Sequence, residues 1–131
     1  MPLNRRFRIV LILATMVVAV VLGWSQTARA VTPAIVEVRA ESQANGLYAF
    51  SVTVFHHDEG WTHYADSWDV LTLDGQVLAT RTLFHPHVDE NPFTRSLSNV
   101  QVPIGAREVL IRAHCSTDGY GETFRVELPP R

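Results

Sequence analysis

The chain has 131 residues, a formal net charge of −2, a single cysteine and no lysine. Four of the eleven basic residues lie in residues 1–30, and all thirteen acidic residues lie after them. Seven basic and thirteen acidic residues remain in residues 31–131, a formal charge of −6. This charge repels phosphate backbones and argues against nucleic-acid binding. The lone cysteine excludes an internal disulfide, so a packed core must stabilise the domain.

Residues 1–30 have the three parts of a secretory signal. Basic residues precede an apolar run from Ile9 to Trp24, and a short polar stretch ends in Ala28-Arg29-Ala30. Small residues at the first and third positions of this ending predict cleavage after Ala30. The alternative is an uncleaved membrane anchor, but the run is shorter than the roughly 20 residues that cross a bilayer. We expect an exported protein, periplasmic or secreted, that contacts a membrane only through this segment if it is retained.

Beyond residue 30 the apolar residues alternate with a period close to two, which predicts β-strands. Asn45-Gly46 and Asp74-Gly75 are typical hairpin turns, and no segment has the period of a helix. About seven strands are predicted, at residues 35–40, 48–54, 61–73, 76–84, 93–102, 109–115 and 122–128. The pattern predicts one domain, residues 31–131, folded as an immunoglobulin-like or fibronectin III-like antiparallel β-sandwich with Trp68 in its core.

Three segments carry a resemblance to known proteins: HYADSWDV, HPHVDENPFTR and GYGETFRVELP. They are similar to segments of a group of small exported bacterial proteins of unassigned function, and the resemblance spans most of residues 31–131. It implies an immunoglobulin-like sandwich and no particular activity.

The histidines suggest a metal site. Neutral imidazole binds zinc and copper well, and His85 and His87 are two apart, so extended backbone would point both rings to one face. If strand ends meet at one pole of the domain, other histidines and carboxylates can join this pair. The predicted ligands are His57, His63, His85 and His87, with Asp89 or Glu90 completing the site. The competing interpretation, which we favour, is that these histidines pin loops by hydrogen-bonding to nearby carboxylates.

No catalytic set is found in the sequence. Cys115 shares its strand parity with apolar residues, which predicts a buried and inert thiol facing away from His114. Arg95 is expected to form an ion pair with Asp89 or Glu90 that closes their loop, or else to bind a ligand carboxylate. We therefore expect a non-enzymatic interaction or accessory module with a protein partner in the periplasm and no cofactor. The alternative is a small periplasmic metal-binding protein that uses copper or zinc.

Overall fold

The computed structural model describes residues 31–131, and the predicted signal segment, residues 1–30, lies outside them. The described chain contains eight strands and no helix, so within it no helix is long and apolar enough to cross a membrane. The strands are β1 (Ala34–Ser42), β2 (Tyr48–Phe55), β3 (Ala65–Leu71), β4 (Val77–Thr82), β5 (Phe93–Val100), β6 (Glu108–Cys115), β7 (Gly119–Tyr120) and β8 (Phe124–Glu127).

The strands form two antiparallel sheets. The first has three strands in the order β1-β2-β5, and the second has the order β4-β3-β6-β7, with β8 also paired to β6. Burial alternates strictly along β2 and β6, as the period of two predicts. One buried cluster contains side chains from both sheets, among them Phe50 and Phe93 of the first and Trp68 and Ile111 of the second. Trp68 has no exposed surface, which confirms its predicted place in the core.

The predicted strand at residues 61–73 is shorter than expected, because a tight turn occupies its first part. The N–H of His63 donates to the carbonyl of Gly60 at 3.2 Å, and the N–H of Glu59 donates to the carbonyl of His63 at 2.9 Å. Gly60 has φ of 127°, a conformation that favours glycine. Regular pairing of β3 therefore begins only at Ala65, and Trp61 is placed on the turn with 69% of its surface exposed.

The segment just before β1 lies against the turn that precedes β8. A Cβ atom added to Gly121 would lie 1.9 Å from the carbonyl oxygen of Pro33. The N–H of Gly121 also donates to the carbonyl of Ala113 in β6 at 2.9 Å. The backbone of residue 121 thus fits between two other backbone segments, and only glycine leaves room for both.

Candidate functional site

The carboxylate of Asp58 is fully buried and joins three segments that are distant in sequence. Its Oδ1 accepts hydrogen bonds from Nδ1 of His56 at 2.7 Å and from the N–H of Ala65 at 2.9 Å. Its Oδ2 accepts a third from the N–H of His87 at 2.7 Å. Three donors around two oxygens are the environment of an ionised carboxylate. The end of β2, the start of β3 and the loop of residues 85–90 meet at this group.

The ring of His56 contacts Asp58 through one nitrogen and the backbone through the other. Its second ring nitrogen, Nε2, lies 3.0 Å from the carbonyl oxygen of Val31, which can only accept a hydrogen bond. Nε2 therefore carries a proton and donates it to this carbonyl, while Nδ1 is joined to the Asp58 carboxylate by a second hydrogen bond. Both nitrogens of this buried ring thus have partners, as burial of a polar group requires.

His63 and Cys115 lie next to this pair. The ring of His63 is perpendicular to that of His56, with 5.1 Å between the centroids. One ligand atom each of His56, His63 and Cys115 lies within 4.8 Å of the other two. In residues 31–131 no other group of three or more histidine, cysteine or acidic side chains is placed to hold a metal ion.

Carboxylates surround His63 on its solvent side. Its Nδ1 is 3.3 Å from Oε2 of Glu59, and its Nε2 is 3.0 Å from Oδ2 of Asp118. The hydrogen bond with Glu59 raises the pKa of His63, and Asp118 adds to the effect while partial burial opposes it. The His63 side chain is still 18% exposed, whereas those of His56 and Asp58 are fully buried.

A cleft of about 550 Å³ opens beside this polar centre, between the Gly60 turn and the loop of residues 85–90. We call it the Trp61 cleft; it is lined by Gly60, Trp61, His85, Pro86, His87, Val88, Asp89 and Glu90. The exposed indole of Trp61 packs edge-on against Tyr64, with 5.8 Å between ring centroids. The cleft therefore offers apolar surface beside two carboxylates, and its volume lies within the range of small-ligand sites.

His87 is the one buried histidine of this cleft, with 3% of its side chain exposed. Its ring stacks on Phe93 at 3.9 Å, and the His85 ring lies 4.6 Å away. Within residues 31–131 neither ring nitrogen has a hydrogen-bond partner, since Nδ1 is 3.9 Å from Oδ2 of Asp58, too far for a hydrogen bond. Burial lowers the pKa of His87, and the nearby Arg95 and His85 act in the same direction. The ring is thus neutral, with one donor and one acceptor both unsatisfied, which costs about 1–3 kcal/mol per group.

The four histidines predicted as metal ligands do not converge in the described residues. His57 is on the opposite face of the chain from His56; its ring packs on Phe55, and its Nδ1 is 3.4 Å from the Asn91 side chain. His63 joins the group with His56 and Cys115, and only His85 and His87 are neighbours. Alternation along β2 separates adjacent histidines, so the predicted set is divided among three places.

The loop of residues 85–90 is closed by Arg95. Its Nη2 lies 3.0 Å from Oε2 of Glu90, and the same guanidinium holds the pKa of Glu90 below its usual range. Asp89 lies in the wall of the Trp61 cleft beside Glu90. Of the two roles expected for Arg95, ion pairing with Glu90 is the one that its contacts display.

Sequence reasoning found only part of what organises the site. Asp58 is among the carboxylates expected to hydrogen-bond to the histidines, but no signal in the sequence indicates that it also binds the backbone of Ala65 and His87. Trp61 was assigned to a strand, although the preceding Gly60 is a turn signal. The approach of Cys115 to His56, 59 positions earlier, leaves no signal in the local sequence.

No family model matches the chain. A protein of Halomicrobium mukohataei, named "Putative lipoprotein", is 44% identical to it over 87 residues. The aligned part covers 66% of this chain and 42% of the relative. The chain therefore spans less than half the length of the relative that it matches.

Proposed function

We propose that this chain is a non-enzymatic interaction module of the cell envelope, folded as a fibronectin III-like β-sandwich, that binds a partner protein in the Trp61 cleft. Export is supported by the signal pattern of residues 1–30 and by the name of the relative, a lipoprotein. The sandwich is supported by the core shared between the sheets. The pairing of β4 with β3 rather than with β5 differs from the constant-type immunoglobulin order, in which the fourth strand lies in the first sheet.

The observation that carries the proposal is the ring of His87, buried in the cleft wall with both nitrogens unpartnered. A buried polar group without a partner destabilises the fold, so its retention at a cleft is explained by a ligand that supplies the partner. The cover over this ring is the exposed side chain of His85, whose only polar contact is the carbonyl of the adjacent Pro86 at 3.0 Å. Rotation of His85 would open His87 to a bound group.

The chemistry of the cleft indicates the class of partner. Trp61, Pro86 and Val88 supply apolar surface, and Asp89 supplies negative charge on the same rim, where Glu90 is paired with Arg95. The described chain also carries a formal charge of −6. A peptide segment that alternates apolar and basic side chains complements both features, since opposite charges favour encounter and exposed tryptophan is a frequent anchor of interfaces.

The test uses two synthetic peptides, one alternating leucine and arginine and one alternating leucine and glutamate. Binding is followed through the indole N–H resonances of the tryptophans in isotopically labelled protein. The cationic peptide is expected to shift the Trp61 signal and to leave that of the buried Trp68, and the anionic peptide is expected to shift neither. The variant His87→Phe should abolish the response while remaining folded, and His57→Ala, an exposed histidine outside the cleft, should respond like the parent protein.

Three results would refute this proposal. The first is the absence of any Trp61 shift with the cationic peptide. The second is an equal response to both peptides, which would remove the charge argument. The third is unchanged binding by His87→Phe, which would remove the observation on which the proposal rests.

A second candidate function is metal binding in the cleft, favoured by the adjacent rings of His85 and His87. Two imidazoles suit copper or zinc, and the remaining ligands would be water or a carboxylate of the loop that moves toward the metal. A true site would raise the melting temperature on addition of Zn(II) or Cu(II), because binding to the folded state stabilises it by mass action. A double variant His85→Ala, His87→Ala should abolish the shift; if it does not, the cleft binds no metal.

A further inference from the structure

We propose that His56, His63 and Cys115 form a binding site for a zinc-type divalent cation, separate from the Trp61 cleft. Each offers a ligand atom within 4.8 Å of those of the other two, before any cation draws them together. Thiolate and imidazole are both zinc ligands in proteins. One cysteine with two histidines also occurs at copper with a weak axial ligand, commonly methionine, and residues 31–131 contain no methionine. The three residues come from the end of β2, the Gly60 turn and the end of β6, so the tertiary fold assembles the group.

Carboxylates contact ring nitrogens of both His56 and His63. Asp58 binds Nδ1 of His56 at 2.7 Å, which orients the ring. Nε2 would bind the cation by exchanging its contact with the Val31 carbonyl, 3.0 Å away, for the metal. Glu59 and Asp118 each contact one nitrogen of His63, so either can orient this ring while the other releases it. A histidine that ligates a metal through one nitrogen while the other binds a carboxylate is a recurrent arrangement, and it strengthens the ligand.

The charge at this place also suits a dication. Asp58 is buried and ionised, and Glu59 and Asp118 face His63. Without a cation, the proton on Nε2 of His56 donates to the carbonyl of Val31. Binding replaces that proton, and the thiol of Cys115 gives up another as it becomes a thiolate, so both protons pass to the solvent.

His63 provides the route of entry. Cys115 and the His56 side chain are fully buried, whereas 18% of the His63 side chain and 72% of that of Glu59 are exposed. A cation can therefore be captured first at the exposed edge by Glu59 and His63 and then reach the thiol. In this order His63 gives up one of its two carboxylate contacts and His56 gives up its contact with the Val31 carbonyl.

The competing explanation is a buried thiol that merely fills space beside two loop-pinning histidines. Cobalt(II) distinguishes the two, because a thiolate bound to cobalt gives a near-ultraviolet charge-transfer absorption that histidine ligands alone do not. The untagged protein, treated with a chelator and a thiol reductant, is titrated with cobalt and then with zinc. One equivalent of cobalt should produce the absorption, and zinc should remove it by displacement.

Variants assign the ligands. Cys115→Ser should lose the absorption, and His63→Gln, at the exposed edge where folding is least affected, should weaken cobalt binding by about tenfold or more. The matched controls are His114→Gln, adjacent to the cysteine with its Nδ1 2.6 Å from Asp66, and His57→Gln, adjacent to His56. Both controls should bind cobalt like the parent protein.

The proposal is overturned if the parent protein gives no charge-transfer absorption, or if His63→Gln binds cobalt as tightly as the parent does. Cobalt uptake without the absorption, abolished by the His85→Ala, His87→Ala double variant, would place the metal in the Trp61 cleft instead. The buried site does not depend on the function proposed for the cleft: that double variant should retain the charge-transfer absorption even where peptide binding fails.

Discussion

Oδ1 of Asp58 lies 2.7 Å from Nδ1 of His56, and both side chains are fully buried. The other oxygen of this carboxylate binds the backbone of His87. The Asp58 carboxylate therefore connects the group of His56, His63 and Cys115 with the Trp61 cleft. The two candidate sites therefore share a support although they present different chemistry. Damage to the shared carboxylate should affect both sites, whereas changes at His63 or Trp61 should affect one.

Replacing Asp58 by asparagine should destabilise the fold by about 3–5 kcal/mol, the usual effect of removing one partner from a buried ion pair. The amide would present a donor to N–H groups that need an acceptor, and Nδ1 of His56 would lose its carboxylate partner. Urea unfolding monitored by circular dichroism measures the change. Asp89→Asn, an exposed carboxylate, is the control and should change stability by less than about 0.5 kcal/mol. Equal stability of the two variants would contradict this role of Asp58.

His87→Phe should increase stability by about 1 kcal/mol, because it removes two buried nitrogens that lack partners while keeping a ring stacked on Phe93. Urea midpoints of variant and parent give the difference. The increase should accompany the loss of peptide binding in the cleft, since natural sites often keep unsatisfied groups for function. A destabilised His87→Phe variant would indicate instead that the imidazole has a structural partner.

The same residue should make stability depend on pH. Burial lowers the pKa of His87 below its ordinary value of 6.5. As the pH falls through 6.5, the unfolded chain takes up a proton at this position before the folded chain does. The contribution of neutral His87 to the free energy of unfolding is therefore complete above pH 6.5 and decreases below it. The stability difference between His87→Phe and the parent should therefore widen on acidification. His57→Phe should show no such widening, and a difference that stays constant with pH would refute the assignment.

The two tryptophans of the described chain should respond in opposite ways to truncation. Trp68→Ala removes a fully buried ring and should destabilise by about 3–5 kcal/mol. Trp61→Ala removes a ring that is 69% exposed and should change stability by less than about 1 kcal/mol. Equilibrium unfolding of both variants provides the comparison. A loss below about 1 kcal/mol for Trp68→Ala would mean that the register of β3 is different.

Gly121→Ala should destabilise by about 1–3 kcal/mol through steric conflict with backbone atoms. The added methyl group would lie 1.9 Å from the carbonyl oxygen of Pro33, so residue 33 or residue 121 must move. Hydrogen exchange should show weakened protection in β1 near residue 34. Glu122→Ala, the exposed neighbour, should leave both stability and exchange unchanged; a similar effect from it would assign the change to the turn rather than to the close approach.

The all-β class followed from local pattern, and the elements that show why are β2 and β6. In both strands the buried residues alternate with more exposed ones, because successive side chains of a strand point to opposite faces. The same rule predicted the buried positions of Trp68 and Cys115 correctly. It failed at residues 61–64, where two backbone hydrogen bonds around Gly60 form a turn within a sequence that reads as a strand.

The candidate sites were less predictable, because they depend on which strand ends meet. The sequence by itself determined the alternating strands, the acidic charge, the supply of histidines and the lack of an internal disulfide. Only the tertiary structure decided that Asp58 reaches the backbone of His87, 29 positions later, and that Cys115 approaches His56 and His63. The physical reason is that strand pairing and sheet packing join residues that are distant in sequence. Burial of the whole core determines these contacts, and neighbouring residues do not.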